Sequence, residues 1–328
     1  MSIILRKLNL DDLTKARELF LNYPYKKYQQ HVQKLDNEKV ADLLTFLLEK
    51  QILNNKCDIT GVFDDDELQG ISGIDDSDFH TKNYGINFGK ITDFLSYKNP
   101  EKYSPQLLTD LLNKASQKNY ELISCRFDSD DFKNIHLLEN AGFYTVGNSV
   151  KMSLELSKFQ SDISDERNPH YTLEYYKPQY KDEILSIASQ SHQVSHFHSD
   201  YNLNIDDTNK LFKSWTEKFC TDGTTNLYVA LVGNEVIGFA LFLDSSLFEK
   251  YFSRKIKILD FIALRNDIKG KGIGSSILRQ IFAEMKPIYD LIELRTMQTN
   301  YPALNLYSKL GFKICSSDII VHKMLKSA

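Results

Sequence analysis

Cysteine, proline and tryptophan are scarce in this chain, and each scarcity removes a class of structure. The four cysteines, Cys57, Cys125, Cys220 and Cys315, stand far apart, and none belongs to a C-x-x-C pair. That spacing argues against a zinc ribbon or a disulfide framework and points to a reducing, cytoplasmic setting. No apolar run approaches the ~18 to 20 residues of a membrane span, so no membrane role is expected. The opening Met1–Lys7 stretch meets charge too soon to form a secretory signal core. Neither sign of charge dominates: 44 acidic side chains face 40 basic ones, for a net charge of −4. Bulk composition therefore supplies no basic surface for nucleic acid. A length of 328 residues accommodates two domains of ordinary size.

What is present is a basic, glycine-rich turn, Lys269-Gly270-Lys271-Gly272-Ile273-Gly274-Ser275-Ser276, set between two apolar segments. Ile256 to Leu264 is short and rich in isoleucine, as a buried strand is. Ile277, Leu278, Ile281, Phe282 and Met285 recur at helical spacing, so a helix begins at Gly272 to Ser275. A turn from a strand end to a helix start aims unpaired N–H groups and the positive end of the helix dipole at one point, where an anion binds. Glycines let the backbone come close, and Lys269 and Lys271 add positive charge, so a pyrophosphate fits. A Walker loop is excluded because no Ser or Thr follows Lys271 directly. A dinucleotide fingerprint is excluded because the glycines run G-x-G-x-G late in the chain.

Leu291 to Thr296 reads as the next strand, followed by Asn300, Ala303, Tyr307, Gly311 and Phe312 at fixed spacing. Here the chain resembles the GCN5-related N-acetyltransferase (GNAT) superfamily. That family's Gln/Arg-x-x-Gly-x-Gly/Ala motif is matched by Lys269 to Gly274, with Lys in the first place, and its Asn-x-x-Ala-x-x-x-Tyr-x-x-x-Gly-Phe motif by Asn300 to Phe312. The resemblance implies an α/β fold, a twisted mixed β-sheet flanked by helices, and acetyl-CoA as co-substrate with no metal. It implies that Lys269, Gly270, Lys271, Gly272, Ile273, Gly274 and Ser275 cradle the pyrophosphate. Backbone groups at Ile262 and Leu264 then take the pantetheine by β-augmentation. Asn300 is expected to help hold the cofactor and Tyr307 to protonate the departing thiolate.

Earlier in the chain, Ile3 to Lys7 reads as a strand, a helix runs from Asp11 through Phe20, and a second helix covers Asn37 to Leu53. Lys56 to Gly61 and Leu68 to Gly73 read as strands around Asp64-Asp65-Asp66, whose carboxylates fit a solvated turn better than a metal site. From Lys90 onward the chain previews its own second half. Lys90-Ile91-Thr92-Asp93-Phe94-Leu95 lines up with Lys257 to Ile262, and Asn140-Ala141-Gly142-Phe143 with Lys309 to Phe312, at offsets of 167 and 169 residues. The economical explanation is two tandem GNAT-like domains. The first offset sets Tyr103, Pro105 and Leu107 opposite Gly270, Gly272 and Gly274; the second sets Asp131 opposite Asn300 and Leu138 opposite Tyr307. Bulk and a missing N–H replace the glycines. Residues 1–157 are thus a degenerate domain lacking the phosphate loop, residues 158–169 a polar linker, and residues 170–328 the catalytic, acetyl-CoA-binding domain.

In the second half, Lys181 to Ser191 and Asp206 to Cys220 read as helices, the latter with Leu211, Trp215 and Phe219 on one face; Leu227 to Val232 and Val236 to Leu243 form a hairpin. The loop Ser191 to His198 holds His192, His196 and His198 without a Cys or carboxylate to complete a metal site. In the superfamily such a loop lines the acceptor pocket. Candidate general bases are Asp260, Glu293, His196 and His198, with a water chain as the alternative. Ser195 to Asp200, the helix of Trp215, Met297 to Asn300 and the ending His322 to Leu325 resemble bacterial acetyltransferases of nucleotide-linked amino sugars, such as dTDP-fucosamine acetyltransferase. The expected acceptor is therefore a small-molecule primary amine of that class. A protein or peptide N-terminus and a non-catalytic acyl-CoA-binding role are the alternatives, and a homodimer is compatible with the sequence.

Overall fold

The computed structural model describes residues 3–28, 35–54, 57–160, 171–191, 194–221 and 226–325. The chain divides into two compact units, residues 1–148 with 316–328 and residues 149–315.

Unit 1 contains β1 (Ile3–Lys7), α1 (Leu13–Asn22), α2 (Asn37–Asn54), β2 (Cys57–Asp64), β3 (Glu67–Asp76) and α3 (Asp78–Tyr84). It continues through β4 (Phe88–Ser96), α4 (Pro100–Gln117), β5 (Leu122–Asp128), α5 (Phe132–Asn140) and the start of β6 (Tyr144–Glu155). Unit 2 takes up the rest of β6, then β7 (Thr172–Tyr175), α6 (Lys181–Ser191), α7 (Ile205–Thr221), β8 (Leu227–Val232) and β9 (Glu235–Asp244). It is completed by α8 (Ser246–Phe252), β10 (Ile256–Leu264), α9 (Ile273–Met285), β11 (Leu291–Met297) and α10 (Tyr301–Lys309); β12 (Lys313–Met324) leads back into unit 1.

Strand pairing follows one scheme in both units. In unit 1, β1, β2, β3 and β4 pair antiparallel in sequence, β4 pairs parallel with β5, and Asp318–Met324 of β12 close antiparallel on β5. In unit 2, β7, β8, β9 and β10 pair antiparallel, β10 pairs parallel with β11, and Ser149–Glu155 of β6 close antiparallel on β11. Each sheet is mixed, and helices bury apolar faces against it. Ile277, Leu278, Ile281, Phe282 and Met285 of α9 are buried in the unit 2 core, and Leu107, Leu108 and Leu111 of α4 in that of unit 1.

This pairing redraws the boundaries expected from sequence. Residues 149–157 fall in unit 2, and 316–328 fall in unit 1, because each terminal strand completes the other unit's sheet. Residues 161–169 of the expected linker lie outside the described residues. Of its described residues, Lys158 and Gln160 are exposed as expected, whereas Phe159 is 3% exposed and meets Phe282 edge-on at 5.6 Å.

The repeat is also sharper than the sequence alignment. Glu67 and Glu235 open β3 and β9, Phe88 and Ile256 open β4 and β10, and Asn37 and Ile205 open α2 and α7, each pair 168 residues apart. The pairing skips one residue of β4 at Thr92 and one of β10 at Asp260, the same bulge at the same offset. Aligning apolar runs instead of bulges gives 167, one residue short.

Candidate active site

Unit 2 builds its site at the place where β10 and β11 part. Their pairing runs from Ile256 and Leu291 to Leu259 and Leu294, so Asp260–Leu264 extend beyond β11's reach while keeping β9 on the other side. A strand edge without a partner presents N–H and C=O groups to a ligand. Ile262 and Leu264, expected to take the pantetheine, lie on this stretch and are half-buried. The Leu264 carbonyl also accepts from Ser191 Oγ at 3.2 Å, which leaves it a second lone pair.

Beyond β10 comes the glycine-rich turn. Gly270 and Gly272 have φ of 80° and 82°, the left-handed region that favours glycine, and a Cβ added at either meets nothing within 4 Å. The conformation demands glycine, and the space beside it is open. Gly272 caps α9 without any side-chain hydrogen bond, so the first-turn amides of Ile273, Gly274 and Ser275 have no partner from the helix or from a cap side chain. Lys269 and Lys271 are exposed and carry no ion pair among the described residues. The result is a helix N-terminal end with uncapped amides, open space beside its glycines and two exposed lysines.

At the bulge, Asp260 Oδ2 accepts from the Trp215 indole Nε1 at 2.8 Å. Burial raises the Asp260 pKa, and the indole N–H partly opposes this by favouring the carboxylate. Trp215 belongs to α7, whose core stripe is Thr208, Leu211, Thr216 and Cys220. Trp215 and Phe219, expected to share the core face of Leu211, are half-buried beside that stripe. Spacing by four drifts off a 3.6-residue period, and that drift turns the indole to Asp260.

His198 lies in the loop between α6 and α7. Its Nδ1 is 2.7 Å from Ser195 Oγ, its Nε2 is 3.3 Å from Asn209 Oδ1, and its ring stacks on Phe212 at 5.5 Å. Burial lowers its pKa, so it is neutral at neutral pH, with both ring nitrogens occupied. His196 packs on Phe197, and His192 lies outside the described residues. Glu293 is 6% exposed and ion-paired to Lys151 at 2.8 Å.

Tyr307 sits in α10 with its ring in the core, 7% exposed and 5.7 Å from the Phe312 ring. Its hydroxyl makes no hydrogen bond among the described residues, and burial raises its pKa, so it holds its proton well above neutrality. Asn300 is the N-cap of α10: Oδ1 accepts from the Ala303 N–H at 3.4 Å and Nδ2 donates to Thr296 Oγ1 at 3.3 Å. The motif asparagine therefore fixes the helix that carries Tyr307.

Unit 1 lacks the turn. With the 168-residue offset, Lys102, Ser104 and Gln106 stand opposite Gly270, Gly272 and Gly274, in place of the Tyr103, Pro105 and Leu107 set opposite them by sequence. All three lie inside α4, which starts at Pro100, so backbone amides that are free in unit 2 face the interior of a helix here. The loss is one of conformation more than of bulk. His322 to Leu325, taken as part of an amino-sugar signature, also belongs to unit 1, where His322 of β12 is fully buried opposite Ser124 of β5.

Residues 182–312, all within unit 2, match the family model described as the acetyltransferase (GNAT) family. No curated protein matches the chain. Among solved structures, a GCN5-related N-acetyltransferase from Sphaerobacter thermophilus has a TM-score of 0.65 at 13% identity, covering 98% of this chain and 95% of that one. A tandem GNAT protein from the clavulanic acid biosynthesis pathway has a TM-score of 0.61 at 11% identity, with both chains covered in full. A glucosamine N-acetyltransferase region of a fungal GH3 β-N-acetylglucosaminidase has a TM-score of 0.64 at 12% identity, covering 98% of this chain and 38% of that one. The fold is that of these tandem and GCN5-related proteins, and the family match supports acetyl transfer in general terms.

Proposed function

We propose that unit 2 transfers an acetyl group from acetyl-CoA to the primary amine of a small molecule, with nucleotide-linked amino sugars as the acceptor class. The observation that carries this reading is the sequence of features along β10: a bulged carboxylate at Asp260, a strand edge to Leu264 with no partner strand on one side among the described residues, and an uncapped glycine turn beyond it. Lys269 to Ser275 hold the pyrophosphate, and the edge at Ile262 and Leu264 takes the pantetheine amides. That leaves the reactive end of the donor near Asp260.

Asp260 is the general base. Its burial lifts its pKa above the usual carboxylate range, which makes it a stronger proton acceptor, while the Trp215 N–H partly opposes that rise and fixes one oxygen. Glu293 suits the role less, because Lys151 already neutralises it. As the amine nitrogen bonds to the acetyl carbonyl carbon, Asp260 accepts the ammonium proton. The carbon–sulfur bond then breaks, and Tyr307 donates its phenolic proton to the departing thiolate before regaining one from solvent. The protonated state of Tyr307 at neutral pH fits that acid role. The amino-sugar class rests on the resemblance of the Ser195 to Asp200 loop and the α7 segment, together with a fold neighbour that is itself a glucosamine N-acetyltransferase region.

Thiol release from acetyl-CoA across a panel of nucleotide-linked 4-amino sugars, free glucosamine and peptide N-termini tests the reading. Turnover on an amino sugar, falling by about ten- to a thousandfold in Tyr307→Phe, is expected. Turnover on peptides alone moves the acceptor to protein, and acetyl-CoA binding without turnover on any amine leaves unit 2 a binding scaffold.

A further inference from the structure

Unit 1 holds a cavity of about 300 Å³ among α1, α2 and the bulged region of β4. That volume is at the lower end of the range for small-molecule pockets. The 168-residue offset shows which unit 2 side chains stand at the same places. Leu44, Leu47 and Gln51 of α2 match Phe212, Trp215 and Phe219 of α7. Asp93, one residue past the β4 bulge, matches Phe261, one residue past the bulge in β10. In unit 2 these four aromatic side chains pack in pairs, Phe212 with Phe261 at 6.4 Å and Trp215 with Phe219 at 5.6 Å. In unit 1 all four matching side chains are smaller, and all four line the cavity. The open space is therefore the volume that aromatic rings fill in the other unit. Phe20, at the place of Ala188, takes back part of it and adds an aromatic wall.

The charges and hydrogen bonds at the cavity narrow its occupant. Each charged group there already has a counterpart within unit 1: Lys27 Nζ donates to Asp93 Oδ1 at 3.3 Å, and Asp75 lies opposite Lys90 across the β3–β4 pair. The exposed Lys50 holds its Nζ over the Phe46 ring, 5.3 Å from the centroid. A charged ligand would upset that balance, so an uncharged one fits. One acceptor is served poorly. Gln51 Nε2 comes no closer than 3.4 Å to Asp93 Oδ2, beyond the usual range for an N–H donor. In unit 2 the carboxylate at the bulge takes the indole N–H of Trp215 at 2.8 Å. A ring N–H entering the unit 1 cavity would supply Asp93 with the same kind of partner.

We propose that this cavity binds a flat, uncharged aromatic heterocycle with a ring N–H, for which indole is the simplest probe. The ring lies against Phe20 and the leucines of α2, and its N–H donates to Asp93 Oδ2. The site is independent of acetyl transfer by unit 2.

Calorimetric titration of the full chain with indole, benzofuran and benzylamine tests it. Indole is expected to bind at one site per chain with a Kd of about 10⁻⁴ to 10⁻³ M. Benzofuran, which keeps the shape and lacks the N–H, should bind about five- to tenfold more weakly, and cationic benzylamine no better than benzofuran. Leu47→Trp fills the cavity with the kind of ring found at the matching place in unit 2, and should weaken indole by about tenfold or more. Should Leu47→Trp fail to fold, Leu44→Phe, which adds a ring at the place of Phe212, decides in the same direction. No indole binding by the wild type, equal binding of benzofuran or benzylamine, or an indole affinity unchanged in the folded cavity-filling variant would each overturn the proposal.

Discussion

The two units share their strand pairing, their bulge and their parallel strand pair, and they part company in the few residues that follow the central strand. After β10 comes a turn with two left-handed glycines and a helix that starts at Ile273; after β4 comes a helix that starts at Pro100. The cores hold both sheets without reference to these residues, since Leu107 of α4 and Ile277 of α9 are each buried to within 1%. Fold and local conformation are thus separable along the chain: the core positions a strand end, and the next few residues decide whether that end leads into a left-handed glycine turn with uncapped amides or directly into a helix.

Substitutions in the two units separate chemistry from scaffold. The largest expected effect is at Asp260, whose replacement by Asn keeps the shape and removes the proposed base. A fall in kcat of about 10²- to 10⁴-fold, with acetyl-CoA affinity retained, is expected in steady-state kinetics. A smaller effect is expected for Trp215→Phe, about tenfold in kcat/KM. Because the indole N–H favours the ionised carboxylate, its loss raises the Asp260 pKa further. The acid limb of the pH–rate profile should then move to higher pH, a shift that a purely structural role for Trp215 would not produce. The smallest effect probes what the units still have in common. Gly142 and Gly311 follow α5 and α10 with φ of 85° and 93°, so Gly142→Ala and Gly311→Ala should each destabilise by about 1–2 kcal/mol in urea unfolding. Similar costs in both would show that the units kept their scaffold rules while losing or keeping chemistry.

Much of this was legible in the sequence for physical reasons. Apolar runs marked β10 and the α6 helix at their observed bounds, and the glycines at 270 and 272 announced a left-handed turn. Three features were not. Strand pairing between distant segments decides unit membership, so the transfer of β6 and β12 residues across the expected boundary leaves no local mark. A bulge is one unpaired residue without a composition of its own, which is why the repeat aligned one residue short and the wrong α4 residues were set against the glycines. The partnership of Trp215 with Asp260 spans 45 residues and depends on α7's twist relative to β10; the available signal was an aromatic residue at a spacing that slips off the core stripe. Asn300 shows the reverse case. The motif was visible, yet the side chain is engaged in capping the helix of Tyr307, a role its position just before Pro302 and the α10 segment allows.

The most direct measurement is the stoichiometry of acetyl-CoA binding by calorimetry, for the wild type and for Gly272→Val. A β-branched side chain at a φ of 82° is strained and fills the open space beside the turn. One acetyl-CoA per chain, with affinity lost by about 100-fold or more in Gly272→Val, is the predicted result. Two sites per chain, or one site whose affinity survives Gly272→Val, would contradict the assignment of the donor site to the turn after β10.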